Sequence, residues 1–442
     1  MMALTQLNDL LSDTCKTGQM WLGDGASLEL EKRLAALPDR RCLVVADITT
    51  WEVAGSDIHG QVMKRGHEVY RHLIETSHKT GKPSCDDEAV SNTLEQIRTV
   101  DASLVIAVGA GTVNDVTKLA AFHADRPYLV IPTAPSMNGY TSSTAAVMSS
   151  GVKESVPCRG PIACLADIQI LRQAPYRMIA AGLGDLLSRS VSLADWYLSH
   201  RLSGTEFSAE TTALVEESGR LCDGLASELP NRDPIAIARL MTALLISGEA
   251  MAQAGSSAPA SGAEHLISHY LDMTRSPSDP GDLHGCQVGV ATITTAAFYE
   301  RLLALEPDVD LAPTALIAAI PAWNEVQRSL REHFGELATA LRPQSRHKHL
   351  PAGQLSERLM RLRSEWNSIR HGLTPLLRPS ASVRDQLQAA EAPISFSAIG
   401  VDAARARDAV LHGRHIRARY TILDLAAEIG LLERWGEELV IR

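Results

Sequence analysis

Ser103-Leu104-Val105-Ile106-Ala107-Val108-Gly109-Ala110-Gly111-Thr112-Val113-Asn114-Asp115-Val116 reads as a strand, a glycine turn and the start of a helix. The apolar run suits a strand buried on both faces. Glycines let a backbone approach a phosphate closely, and the first helical turn offers unpaired N–H groups at the positive end of its dipole. Thr112 adds a hydroxyl donor. The pattern is GxGxxN rather than GxGxxG, so the third glycine that eases close helix–strand packing is absent. A phosphate cradle is expected here, and an ordinary strand–helix turn with two glycines is the plainer alternative.

The neighbouring segments repeat the alternation. Cys42 to Asp47 is a short apolar run ending in an acid, Glu52 to Arg65 has helical character and Glu68 to Ile74 looks extended. Asp86 to Val100 has helical spacing, Val113 to His123 reads as a helix and Tyr128 to Ile131 as a strand. Strands alternating with helices of this length imply a parallel, doubly wound sheet. The stretches Ala145 to Met148 and Ile162 to Leu165 flank a turn at Ser149-Ser150-Gly151 and suggest a hairpin on the sheet's edge. From Pro175 onward no β-like segment stands out. Breakers cluster at 230–234, 255–262, 275–285, 306–313 and 342–352 in an otherwise helical run. The expected organisation is an α/β domain over 1–175 and an all-α domain over 176–442.

At 442 residues the chain can bury a large core, and 45% hydrophobic with 21% charged residues is ordinary for a globular protein. A net charge of −10 argues against nucleic acid or an anionic membrane as partner. It leaves room for a small anionic substrate in a local cationic pocket. No secretory signal or membrane-spanning run of about 18 apolar residues is apparent. The seven cysteines are scattered and form no CxxC pair, which is neither a disulfide framework nor a zinc finger. A reducing cytoplasm is the expected compartment.

Two further stretches belong with the glycine turn. Asp47 ends an earlier strand, where a carboxylate can bind ribose hydroxyls and disfavour a 2′-phosphate; capping the next helix is an equal alternative. The loop Pro132-Thr133-Ala134-Pro135-Ser136-Met137-Asn138-Gly139-Tyr140-Thr141-Ser142-Ser143 comes after a strand and is dense in hydroxyls. Ligands of open α/β sheets bind at such carboxyl ends. A polar surface loop is the bland reading.

Ser261-Gly262-Ala263-Glu264-His265-Leu266-Ile267-Ser268-His269-Tyr270-Leu271-Asp272 places His265 and His269 on one helical face. His284 comes after a Pro-rich loop. Two tightly joined helices can bring His265 and His284 together on a metal, whereas a polar stripe can equally be a solvated face. The best third ligand is Asp185, in Ala181-Gly182-Leu183-Gly184-Asp185-Leu186. The glycines allow backbones to approach, and a carboxylate entering an apolar helix needs a cation or donors. An N-cap after Gly184 is its plainer role.

Together these motifs resemble the glycerol-1-phosphate dehydrogenase branch of the iron-containing alcohol dehydrogenase superfamily, which also holds glycerol dehydrogenase and dehydroquinate synthase. The resemblance is most specific at Gly109 to Asp115, Pro132 to Ser142, Ala180 to Asp195, Gly262 to Asp272 and Leu283 to Gly289. It implies a Rossmann-like N-terminal domain, a helical C-terminal domain and an active site in the cleft between them. It implies NAD or NADP bound by Gly109, Gly111, Thr112, Val113, Asn114, Asp115, Thr133, Ala134, Pro135, Ser136 and Ser142, with Asp47 nearby. It implies a divalent ion (zinc first, with nickel or iron also accepted by such donors) on Asp185, His265 and His284. Asn138, Asp185 and His269 are then the substrate-facing residues, with Asp185 and His269 catalytic. Two positions depart from the pattern. Asn138 stands where Asp is common, so it can hydrogen-bond a hydroxyl but not act as a base. Arg189 stands where Lys is common.

The activity this implies is reversible reduction of dihydroxyacetone phosphate to sn-glycerol 1-phosphate, by a homodimer or larger assembly. Another small polyol, ketose or polyol phosphate is the alternative. A dehydroquinate-synthase-like reaction lacks its basic substrate residues here, and an inactive nucleotide-binding protein would have no need of three ligand candidates.

Overall fold

A computed structural model describes residues 2–35, 41–76, 81–276, 279–306, 316 and 320–440. Its strands are β1 Gln19–Gly23, β2 Arg41–Ala46, β3 Glu68–Leu73, β4 Leu104–Gly109, β5 Tyr128–Pro132, β6 Thr144–Ser149, β7 Val152–Pro157 and β8 Ala163–Asp167. Six of them form one parallel sheet in the order β1-β8-β5-β4-β2-β3. Cys42 to Ala46 and Leu104 to Val108 are wholly inaccessible. That matches their uninterrupted apolar sequences, since a central parallel strand is covered on both faces.

The chain runs from β2 outward to β3, then returns to lay β4 on the other side of β2. The strand order reverses at that point. The carboxyl ends of β2 and β4, at Asp47 and at Gly109 to Gly111, therefore flank the crevice where doubly wound sheets take ligands.

Two expectations need correction. The hairpin pairs β6 with β7, as a separate two-stranded antiparallel sheet rather than on the main sheet's edge. Lys153 and Glu154 interrupt the apolar pattern of β7 and mask it. The stretch expected to be the second arm, around Ile162 to Leu165, instead supplies β8, an interior strand between β1 and β5. β1 itself lies in a short segment between polar turns and carries no clear signal.

Beyond Asp167 the described residues contain helices and no strand. Six helices of the chain bear on function: α1 Gly111–His123, α2 Tyr176–Leu187, α3 Ala263–Met273, α4 His284–Leu303, α5 Trp323–Phe334 and α6 Ala403–His412. The breakers at 342–352 fall later than their first proline suggests, because Pro343 sits inside the Ala338–Lys348 helix. Most of the interruption expected at 306–313 lies outside the described residues.

The helix Pro234–Ala254 is long and apolar enough to cross a membrane by composition alone. Here 83% of its apolar window is buried within the protein, which makes it a core helix. Its Glu249 accepts from the Lys16 backbone N–H at 2.8 Å and the Thr17 hydroxyl at 2.6 Å, tying the N-terminal segment down.

Two large apolar clusters meet at α2. Leu183 and Leu186 join the cluster that contains the sheet residues Val105 and Ala107. Ala181 joins the cluster of Leu266, Tyr270, Phe298 and the C-terminal helices. A polar side chain on α2 thus sits where the α/β half meets the helical half.

Candidate metal and nucleotide site

That polar side chain is Asp185. It lies within α2 near its C-terminal end, 1% exposed, so the alternative of an N-cap does not hold. Backbone packing without side chains brings it there. A Cβ on Gly182 would run into the Pro135 carbonyl oxygen, one on Gly184 into that of Gly285, and one on Gly285 into that of Ala181. The glycines around Asp185 thus let α2 press against both the 132–143 loop and α4.

His284 is the first residue of α4, and His265 sits in the first turn of α3. Each of Asp185, His265 and His284 offers one ligand atom lying within 4.8 Å of the other two. The His265 and His284 ring centroids are 5.0 Å apart, and His265 Nε2 is 3.4 Å from Asp185 Oδ1. α3 is buried from Ala263 to Leu271, which excludes a solvated polar face.

Each of the three side chains is oriented from behind. Asp185 Oδ2 accepts the Asn138 backbone N–H at 2.8 Å, while Oδ1 is buried without a hydrogen-bond donor. His265 Nδ1 contacts Glu264 Oε1 at 2.8 Å, leaving Nε2 toward Asp185. Ser268 donates to Gln287 Oε1 at 2.7 Å, so it accepts from His284 Nδ1, 3.1 Å away, and His284 Nε2 keeps its lone pair. Partners of this kind fix the tautomer of metal-ligating histidines.

The electrostatics favour a cation. Burial opposes ionisation of both His265 and Asp185, yet their mutual contact prevails. The His265 pKa rises to about 9 with Glu264 also contributing, and the Asp185 carboxyl stays below its usual range. Burial, Lys153 and His265 push His284 down to about 3, so it is neutral and able to bind. An orphaned carboxylate oxygen beside two buried imidazoles fits a divalent ion with an N/O donor set.

His269 is one turn along α3, its ring 6.2 Å from that of His265 and 5.9 Å from that of His284. Its Nδ1 is buried and without a partner. Burial, then the charges of Lys153 and Arg417, hold its pKa well below the usual range. Lys153 comes from β7 and pairs with Asp272 on α3; Arg417 donates to the Lys153 carbonyl at 3.0 Å. This pair of cations beside the histidines carries no signal in the sequence, because they are distant from the histidines and from each other along the chain.

On the nucleotide side, α1 begins at Gly111, and Ala110 supplies no side-chain cap. The first-turn N–H groups are therefore left for a ligand. A Cβ at Gly109 would stand 2.5 Å from Val113 Cβ, so this glycine also serves the close helix–strand approach. Asn114 donates to Asp115 Oδ1, and Asp115 Oδ2 accepts the Ala146 N–H at 3.1 Å, tying α1 to β6. Ser142 is engaged by Lys118, whose buried ammonium also donates to the carbonyls of Gly139 and Thr144. Lys118 thus shapes the loop bearing Asn138, a role invisible in its helical sequence context. Ala134 accepts from the Tyr140 hydroxyl at 2.6 Å, while Thr133, Pro135 and Ser136 fill the turn beside α2. Asp47 caps the next helix through Oδ1 and the Thr50 N–H at 2.7 Å, at the edge of the switch-point crevice.

Asp195 is a further hidden support. It accepts from the Ala263 N–H at 2.7 Å, which seats the start of α3, and from Tyr299 and Ile422. Arg189 packs its guanidinium against Gly219, and the charged groups around it are Arg378, Asp223 and Glu216, with the Cys222 thiol also close. Asp185, His265 and His284 are not among them.

Comparison with known proteins bears on the family and the fold. Residues 21–175 match the family model described as iron-containing alcohol dehydrogenase. A Bacillus velezensis glycerol-1-phosphate dehydrogenase [NAD(P)+] is 30% identical over 408 residues, 92% of this chain and 90% of the relative. A Pyrococcus furiosus enzyme of the same name is 38% identical over 261 residues, 58% of this chain and 71% of its own. A probable glycerol dehydrogenase from Sinorhizobium meliloti superposes with a TM-score of 0.62 at 14% identity, covering 95% of this chain and 97% of that one. With the fold, the triad and a relative matched over nearly its whole length, the chain belongs to the glycerol-1-phosphate dehydrogenase branch of the iron-containing alcohol dehydrogenase superfamily.

Proposed function

We propose that the chain reduces dihydroxyacetone phosphate reversibly to sn-glycerol 1-phosphate with NADH or NADPH. The observation that carries this is the buried Asp185 Oδ1, left without a donor between the His265 and His284 rings. The activity named for the Bacillus and Pyrococcus relatives supports the substrate.

Asp185, His265 and His284 would hold the divalent ion, zinc being well suited to this donor set. When bound, it supplies charge that polarises the ketone oxygen, and a reduced nicotinamide supplies the hydride. The chain's residues do the rest. The first-turn N–H groups at Gly111, Thr112 and Val113 receive the cofactor's pyrophosphate. Asp47 stands where a ribose would lie, which favours NAD over NADP. Asn114, Asp115 and Ser142 contribute by holding the loop and helix in shape, and Thr133 to Ser136 form the wall facing the nicotinamide. Asn138 offers its side-chain amide to a substrate hydroxyl. The neutral His269 relays the proton that the product oxygen acquires, and Lys153 and Arg417 give the phosphate a cationic end. With one domain over 1–175 and another over 176–442, these groups face one cleft from both sides. Free cysteines at all seven positions suit a reducing cytoplasm.

A free polyol or ketose is the second reading, favoured by the uncharged Asn138. NAD(P)H oxidation by metal-reconstituted protein distinguishes the two, with dihydroxyacetone phosphate and dihydroxyacetone compared at equal concentration. The phosphorylated ketone is expected to react with at least about 100-fold higher kcat/KM, because the unphosphorylated ketone has no group to engage Lys153 and Arg417. Equal rates, or none with any ketose phosphate, would overturn the proposal.

A further inference from the structure

A second cluster of metal-binding side chains lies away from the site just described. His333 is on α5; Asp408 and His412 are on α6, four residues apart and so on one face. Each offers a ligand atom within 4.8 Å of the other two. The imidazoles of His333 and His412 are stacked, with centroids 3.5 Å apart and planes inclined by 20°, so one ring turns about its side-chain torsions when both nitrogens face one ion. All three residues are half-buried. None of the three makes a side-chain hydrogen bond or ion pair with a described residue. Three polar groups from two helices have converged without bonding to one another or to another described residue.

The surrounding charges do not forbid a cation. Arg407 is paired with Glu437 at 2.9 Å and Arg414 with Asp424 at 3.0 Å, so the nearest guanidiniums are already offset. His415 is not one of the three; its Nδ1 lies 3.1 Å from the Ser345 hydroxyl. That leaves an N2O donor set, which suits zinc or nickel over calcium or magnesium.

We propose that His333, Asp408 and His412 bind a second divalent ion of the zinc or nickel class, which staples α5 to α6. The staple stands behind the helix that carries His265 and His269. Phe334, next to His333, packs its ring edge-on to Tyr270 of α3 at 5.3 Å, and Tyr270 is the residue after His269. An ion at this place ties the C-terminal helices to the back of α3 without touching substrate. Its effect is on folding stability, as for structural zinc in general.

The test is metal counting on the full chain. Metal-stripped wild-type protein is equilibrated with excess zinc, dialysed and assayed by elemental analysis, beside His412→Ala, Asp408→Asn and Asp185→Ala. The expected result is two equivalents in the wild type and one in each variant. Zinc is expected to raise the melting temperature of Asp185→Ala but not of Asp185→Ala/His412→Ala. Asp408→Asn keeps the side chain's shape, so a folding failure of His412→Ala does not block the reading. One equivalent in the wild type, or two retained in both folded α6 variants, would overturn the proposal. The Asp185→Ala result reports separately on the first site.

Discussion

The glycine turn at Gly109 to Asp115 and the triad of Asp185, His265 and His284 make opposite uses of sequence. The turn is contiguous, and the binding proposed for it uses backbone N–H groups; its side chains (Asn114, Asp115, Val113) mostly hold α1 against β4 and β6. The triad is drawn from three helices, and its chemistry lies in the side chains themselves. A turn of the first kind tolerates side-chain change where space allows. A site of the second kind depends on every backbone contact that brings its helices together.

The largest effect should come from the triad. Asp185→Ala is expected to abolish metal retention at the first site and lower kcat/KM by about 10³-fold or more, roughly 4 kcal/mol of transition-state stabilisation. Elemental analysis and initial rates read this together. Gly285→Ala should come next. The new Cβ meets the Ala181 carbonyl oxygen, so about 1–3 kcal/mol of stability should be lost. Zinc affinity should fall with it, although no ligand has been touched; denaturant melts and competitive chelator titration measure the pair. If Gly285→Ala leaves both unchanged, helix approach is not what assembles the triad.

Ser268→Ala removes the bridge between His284 and Gln287. It is expected to weaken zinc binding about 10- to 100-fold, the usual scale for an outer partner of a metal ligand, with the melting temperature of metal-free protein little changed. The turn should give the smallest responses. Gly111→Ala places a Cβ 3.3 Å from Met137 Cγ, a contact a flexible side chain can relieve. A several-fold rise in KM for the dinucleotide is expected, about 1 kcal/mol, with zinc content unchanged. Coupled loss of zinc would show that turn and triad are not separable.

The same contrast explains what is legible in the sequence. Strands β2, β4 and β5 announce themselves as apolar runs, and α1 by its glycine start. Asp185, His265 and His284 stand out because polar ligating residues interrupt apolar or glycine-rich helical stretches. Their outer partners carry no such mark. Glu264, Ser268 and Gln287 are common helical residues whose roles exist only once α3 and α4 pack. Lys118 carries no mark in the sequence, and it is fully buried, bonded to the 139–144 loop. β8 reads as a hairpin arm because four apolar residues look alike on a sheet edge and in its interior; pairing over long separation decides between them. Arg189 lies next to the motif but turns to Gly219, since adjacency along a helix does not set direction.

The most direct measurement is zinc titration of metal-stripped His412→Ala protein, following NADH oxidation with dihydroxyacetone phosphate and bound zinc in the same samples. Activity should rise in proportion to zinc, saturate at one equivalent per chain and stay absent at every zinc level when Asp185→Asn is added. Full activity in the metal-free protein, or turnover that persists in the Asp185→Asn variant, would contradict the assignment of Asp185, His265 and His284 as the catalytic metal centre.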